Sequence, residues 1–225
     1  MTVAHRFVIA IDGPAAAGKS STAQWVAEQI GVRHVDSGAL YRAVTAAALR
    51  AEPNVELWRE ERVLVWGSGV SLAPGRTSFT PVLDKRDVSD EIRGAEVTRH
   101  VSRVAQMPAI RSLVNACVRA VAREYDIVVD GRDMGTVVFP DASLKVFLVA
   151  DPWERARRRL TERLERRPTE AEIAEETDRL VQRDARDAMQ TVQAKDAILI
   201  DTTSLTQAEQ VERIVALAEA ARARG

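Results

Sequence analysis

The sequence predicts an α/β fold, a five-stranded parallel sheet flanked by helices, and three observations lead there. Short apolar runs rich in β-branched residues recur along the chain, as expected of strands buried on both faces of a sheet. Long stretches of helical pattern separate them, and strands alternating with helices build βαβ units. A glycine-rich turn, Gly13-Pro14-Ala15-Ala16-Ala17-Gly18-Lys19-Ser20, directly follows the first run and precedes the first helical stretch.

Phe7 to Ile11 forms the first expected strand, and His34-Val35 before Asp36 a shorter one. Ile127 to Val129, Val146 to Val149 and Ala197 to Ile200 complete the five, each ending at or beside an aspartate: Asp130, Asp151 and Asp201. Between residues 62 and 93 the texture changes. Val70 to Leu72 and Thr77 to Val82 flank a Pro74-Gly75 turn, which predicts a small β-hairpin or three-stranded insert. Asp151-Pro152-Trp153-Glu154 places a capping carboxylate before a proline at the first helical position and opens an arginine-rich helix. Charged helix then runs over residues 153 to 187, broken near Arg167-Pro168. Thr206-Gln207-Ala208-Glu209 is a capping box, and Val211, Ile214, Val215 and Leu217 give the last helix an apolar face.

A chain of 225 residues with 46% hydrophobic content can bury one large core. Its 32 basic and 33 acidic side chains leave a net charge of −1, so there is no surplus of positive charge to hold a nucleic-acid backbone or an anionic membrane. The basic set is lopsided, 28 Arg against 4 Lys. A single cysteine, Cys117, allows no intrachain disulfide and suits a reducing compartment. Met1 to Arg6 lacks a secretory layout, and no apolar run reaches the ~18 residues of a spanning helix. A soluble, cytoplasmic, monomeric protein is expected.

Gly13 to Ser20 fits G-x-x-x-x-G-K-[ST] in the strand-to-helix setting that a P-loop requires. Its glycines let backbone N–H groups converge on phosphate oxygens, aided by the positive end of the following helix. The expected ATP contacts are Gly13, Pro14, Ala15, Ala16, Ala17, Gly18, Lys19, Ser20 and Ser21. Lys19 should reach the β and γ phosphates and the Ser20 hydroxyl should ligate Mg²⁺. Gln193-Ala194-Lys195-Asp196 does not match the guanine-reading Asn-Lys-x-Asp of GTPases, which favours a kinase of small molecules. Three further clusters mix arginines with carboxylates at strand ends or helix starts: Asp36 to Arg42, Asp130 to Gly135, and Arg183 to Asp187. That combination suits an anionic acceptor bearing hydrogen-bonding groups. The three histidines, His5, His34 and His100, are scattered and suggest neither a base dyad nor a zinc cluster.

The chain resembles the bacterial cytidylate kinases, the (d)CMP kinase branch of the nucleoside monophosphate kinases. The resemblance rests on Ile11-Asp12-Gly13-Pro14 with the P-loop, Asp36-Ser37-Gly38-Ala39-Leu40-Tyr41-Arg42, Asp87-Val88-Ser89, Asp130 to Asp141 (DGRDMGTVVFPD) and Asp196 to Thr203. It implies one P-loop kinase domain over residues 1–225. The core takes about 6–36, 108–152 and 190–225, the monophosphate-binding region about 37–107 with its β insert, and the helical lid about 153–187. It further implies phosphorylation of CMP and dCMP by Mg²⁺-bound ATP. Arg42 and Arg132 would hold the monophosphate, with Ser37 and Tyr41 beside them, and Ser102, Arg111 and Asp133 would read the cytosine. Arg183 and Asp187 would reach sugar and phosphate. Lys19 and Arg132, with lid arginines Arg155 and Arg159, would stabilise the transferring phosphoryl group, and Arg157 and Arg158 are the alternatives. Asp130 would orient a water on the metal. Other acceptors, such as UMP, AMP or a hydroxylated metabolite, and a nucleotide-dependent switch ATPase are the rival readings. The chain departs from the family pattern at Ala15-Ala16, commonly Ser-Gly, at Gln190, usually arginine, and at Val192-Gln193-Ala194.

Overall fold

The computed structural model describes residues 6–224, so His5 and the segment before it lie outside the described residues. The five expected strands are β1 (Val8–Asp12), β2 (Arg33–Asp36), β6 (Ile127–Asp130), β7 (Leu144–Val149) and β8 (Ile198–Asp201). They form one parallel sheet in the order β2-β6-β1-β7-β8. Alternation along the strands builds two cores. Val8 and Ala10 of β1 and Val129 of β6 point to one face, under α2 (Ser37–Ala51) and α5 (Pro108–Ala122). Ile9, Ile11 and Val128 point to the other, under α1 (Lys19–Ile30) and α8 (Gln207–Arg222). Burial on both faces is why the strand sequences read as continuous apolar runs. Among the described residues no helix is long and apolar enough to cross a membrane.

The β insert is narrower than its sequence suggests. A three-stranded antiparallel sheet, β3 (Val70–Pro74), β4 (Phe79–Leu83) and β5 (Arg86–Asp87), turns at Gly75, whose N–H donates to Ser78 O. Residues 62–67, expected within it, are instead helical: α3 (Glu60–Gly67) sets Val63 into the core and leaves Val65 exposed. A five-residue apolar run, Val63 to Gly67, is too short for its periodicity to separate strand from helix. The insert turn leans on the main sheet, with His34 N–H donating to Thr77 O at 2.9 Å. Helix α4 (Ala95–Ala105) then leads into α5.

The charged stretch folds as two helices, α6 (Pro152–Leu164) and α7 (Glu170–Asp187). Asp151 caps α6 by accepting from Trp153 N and Glu154 N, and Thr169 with Glu172 forms a capping box on α7. The last helix starts with the expected Thr206–Glu209 box.

Candidate active site

Register brings three carboxylates to one rim of the sheet. Asp36 pairs with Asp130 across β2 and β6, Ile11 pairs with Asp130 across β1 and β6, and Asp12 is the next residue of β1. This rim is the carboxyl end of parallel strands, where open α/β sheets bind ligands. A cavity of about 990 Å³ opens over it, lined by the P-loop, the start of α2, α4, the loop after β6, α6, the end of α7 and residues 203–207.

The P-loop leaves β1 through Gly13 at φ +146°, where a Cβ would sit 2.1 Å from the Leu148 carbonyl oxygen, so only glycine fits. Gly18, at φ +85°, caps α1. Ala16 is left-handed at φ +59°, a conformation that costs a residue with a Cβ some strain. Lys19 is buried, its Nζ donating to Pro14 O at 2.7 Å within the loop. Burial, then the neighbouring Arg132, lowers its pKa well below the usual lysine value. Ser20 Oγ donates to Asp130 Oδ2 at 2.7 Å, and Ser21 Oγ to Gly18 O at 3.1 Å.

Asp130 is buried and doubly held. Its Oδ1 lies 2.7 Å from His34 Nε2, and its backbone carbonyl accepts from Ser37 Oγ at 2.7 Å. Burial alone would raise its pKa, but the hydrogen bonds from His34 and Ser20 outweigh that and keep it low. The proton affinity of Asp36, beside it, is raised by burial and by the Asp130 charge. Asp12 accepts from Met134 N (2.9 Å) and Gly135 N (2.7 Å), fastening the start of the π-turn Met134–Val138. Burial pushes its pKa up to about 6 despite those bonds.

On the acceptor side, Arg111 forms an ion pair with the buried Asp133 and donates to Ala105 O at 3.1 Å, and both line the cavity with Ser102 and Tyr41. The Tyr41 hydroxyl is buried without a partner, and burial lifts its pKa to about 12. Arg42 donates to Ile92 O (3.1 Å) and Thr98 Oγ1 (2.8 Å). Arg132 and Arg183 converge on one carboxylate, Asp187 Oδ2, at 3.7 and 3.6 Å, and the buried Nε of each lacks a hydrogen-bond partner. Burial, then the Arg132 charge, brings Arg183 down to about 10. Gln190 also lines this wall.

The lid arginines divide. Arg159 lines the cavity, paired with the buried Glu176 at 3.1 Å, and Arg157 and Arg158 line it as well. Arg155 differs from expectation. It is 4% exposed and its guanidinium donates to Ala150 O, to Ala15 O at 2.8 Å and to Asp184 at 2.7 Å, so it braces the P-loop from behind. One turn of α6 separates it from Arg159, but α7 packs over it, a tertiary fact that helical spacing does not carry. Asp184 completes that brace by accepting from Ala15 N at 3.2 Å. Sequence reasoning also assigned nothing to His34, Asp12 or the residues 203–207 that close the cavity. The strand-end aspartates were the available signal.

The family model for "Cytidylate kinase" matches residues 9–220. The chain belongs to the cytidylate kinase family. It is 43% identical over 212 residues, 92% of either chain, to the cytidylate kinase of Caldanaerobacter subterraneus subsp. tengcongensis. It is 42% identical over 217 residues, 95% of this chain and 97% of the relative, to that of Exiguobacterium sibiricum. Among solved structures, an uncharacterized protein from Eubacterium ventriosum superposes with a TM-score of 0.53 at 13% identity, covering 95% of this chain and 99% of the other, and shares the fold. Within the cytidylate kinase match fall every P-loop residue, all three arginine clusters and the lid.

Proposed function

We propose that the chain transfers the γ-phosphoryl group of ATP to CMP and dCMP. The observation that carries this reading is the arginine basin. Arg132 and Arg183 share the carboxylate of Asp187, the charge of Arg42 bears on Arg183 as well, and two buried guanidinium nitrogens wait for acceptors. Buried donors without partners are costly, and a phosphate monoester supplies the missing acceptors and charge. The basin and the P-loop share one cavity, which supports two phosphorylated ligands meeting there.

The base subsite favours cytosine. The Arg111–Asp133 pair sets guanidinium donors beside a carboxylate acceptor, and cytosine presents an amino donor beside ring acceptors. Uracil would turn an acceptor toward Asp133, a mismatch of about 1–3 kcal/mol. Ser20 and Asp130 offer two oxygen groups 2.7 Å apart, a hard donor set that fits Mg²⁺ arriving on the nucleotide with its own phosphate and water ligands. Bound there, Mg²⁺ would neutralise charge on the β and γ phosphates.

In the transfer, a non-bridging oxygen of the acceptor phosphate attacks the γ-phosphorus in line, the bond to the bridging oxygen breaks, and ADP leaves. The attacking oxygen is already ionised, so no base is required. Arg132 and Arg183 orient the acceptor, Lys19 turns from Pro14 O to the transferring group, and Arg159 with Arg157 or Arg158 covers it from the lid. A coupled assay of ADP release tests the reading. CMP and dCMP should raise the rate far above ATP alone, with UMP and AMP well behind; no stimulation by CMP contradicts it.

A further inference from the structure

The pair of His34 and Asp130 lies directly behind the P-loop serine. Both side chains are buried, at 6% and 3% exposure. The two oxygens of Asp130 serve different partners, Oδ1 facing His34 Nε2 and Oδ2 facing Ser20 Oγ, both at 2.7 Å. A carboxylate held at both oxygens cannot rotate without losing one bond. The strand that carries the imidazole is itself fixed, because the backbone N–H of His34 is bonded to Thr77 O of the insert turn and its neighbour Val35 is fully buried. Asp36, opposite Asp130 in the register, adds a second acidic group, so loss of the His34 donor would leave Asp130 Oδ1 buried beside a carboxyl group. The arrangement matches the outer-shell partners that orient ligating carboxylates in metal sites, whose removal typically weakens metal binding 10–100-fold.

We infer that His34 is a positioning residue for the nucleotide-borne Mg²⁺, holding the Asp130 carboxylate in the rotation that presents Oδ2 to the metal's water and to Ser20. The inference rests on the proposed placement of Mg²⁺ at Ser20 and Asp130. It also gives the β insert a role in the phosphate site, since the insert turn buttresses the strand that carries the imidazole.

Three variants separate the possibilities: His34→Asn, whose shorter amide falls short of Asp130; His34→Gln, whose amide N–H can reach the place of Nε2; and Asp130→Asn. Two quantities are read for each, the free Mg²⁺ giving half-maximal ADP formation and, by calorimetry, the affinity for ADP with Mg²⁺ and with EDTA. His34→Asn should raise the Mg²⁺ requirement on the order of tenfold and weaken ADP binding only when Mg²⁺ is present. The KM for CMP should stay put, and His34→Gln should recover most of the loss. An unchanged Mg²⁺ requirement in His34→Asn, alongside a raised one in Asp130→Asn, overturns the inference alone. If Asp130→Asn also leaves it unchanged, the metal placement falls and the inference with it. Equal loss of ADP affinity with and without Mg²⁺ marks His34 as merely structural and overturns it too. Thermal melts of the apoproteins identify any variant that is simply unfolded, and should His34→Asn be one, His34→Leu, of similar bulk and without the donor, takes its place with the same expected and overturning results.

Discussion

Two regions of the molecule are built from the same side chain and behave in opposite ways. In the lid, arginines meet acids: Arg157 and Arg158, at the cavity, share Glu154, Arg166 pairs with Glu172 at the surface, and Arg163 and Arg179 join Arg159 on the buried Glu176. In the acceptor basin, Arg132 and Arg183 share only Asp187 within ion-pair distance among the described residues. The charge states record the contrast. Hydrogen bonds donated to Glu154 and Glu172 raise the pKa values of Arg157 and Arg166, whereas burial and neighbouring arginines lower those of Arg42 and Arg183. On the proposed reading, the acceptor site is marked by buried guanidinium nitrogens without acceptors and not by arginine density alone. Exposed pairs are worth about 0–1 kcal/mol, while Arg132 and Arg183 each keep a buried Nε without a hydrogen-bond partner, which the proposed function assigns to the acceptor phosphate.

Substitutions can break that comparison. Lys19→Met should produce the largest effect, lowering kcat on the order of 10³-fold or more in the coupled assay. Arg132→Met should lower kcat/KM for CMP by about 10²–10³, as expected for two charge-assisted hydrogen bonds, with ATP affinity little changed. Arg166→Met, removing an exposed lid pair, should change either constant by less than about threefold. Comparable losses from Arg132→Met and Arg166→Met would erase the distinction between the two regions. Asp133→Ala should lower kcat/KM for CMP about 10–100-fold and damage ATP binding less; equal loss of both would remove Asp133 from the base subsite.

The buried acids sharpen the same contrast through pH. Asp12 has a raised pKa, from 3.8 to about 6, so the native state binds its proton more tightly than the unfolded chain. Its contribution to stability therefore falls as pH rises from about 4 to 6 and stays lowest above that window. Asp130 works the other way, since its pKa is lowered; its stabilisation is present above pH 3.8 and is lost as pH falls below that value. Carboxyl carbon shifts followed by NMR should show Asp12 titrating near 6 and Asp130 still ionised at pH 4. The smallest expected effect is at Ala16. Replacing it with glycine should relieve the left-handed strain and stabilise the protein by about 0.5–1 kcal/mol in denaturant unfolding.

The P-loop and the five strands were legible because each rests on local chemistry: apolar runs, glycine spacing and capping residues at fixed offsets. The residues proposed for the acceptor came from family-specific segments, and all nine of them line the one cavity that the P-loop also lines. What escaped detection was tertiary. Arg155 and Arg159 share a face of α6, yet α7 covers one and leaves the other at the cavity. His34 looked isolated because its partner is 96 residues away and only strand register joins them. Glu60–Gly67 is helical because its apolar side chains pack on α2, with Gly67 against Val44, a contact no short window encodes.

The central claim is that the basin holds a phosphate. Calorimetric titration of CMP and of cytidine into the wild-type protein and into Arg132→Met tests it most directly. CMP should bind the wild type on the order of 100-fold more tightly than cytidine, through two charge-assisted hydrogen bonds, and Arg132→Met should remove most of that difference while leaving cytidine binding unchanged. Equal affinities of CMP and cytidine for the wild type would contradict the account.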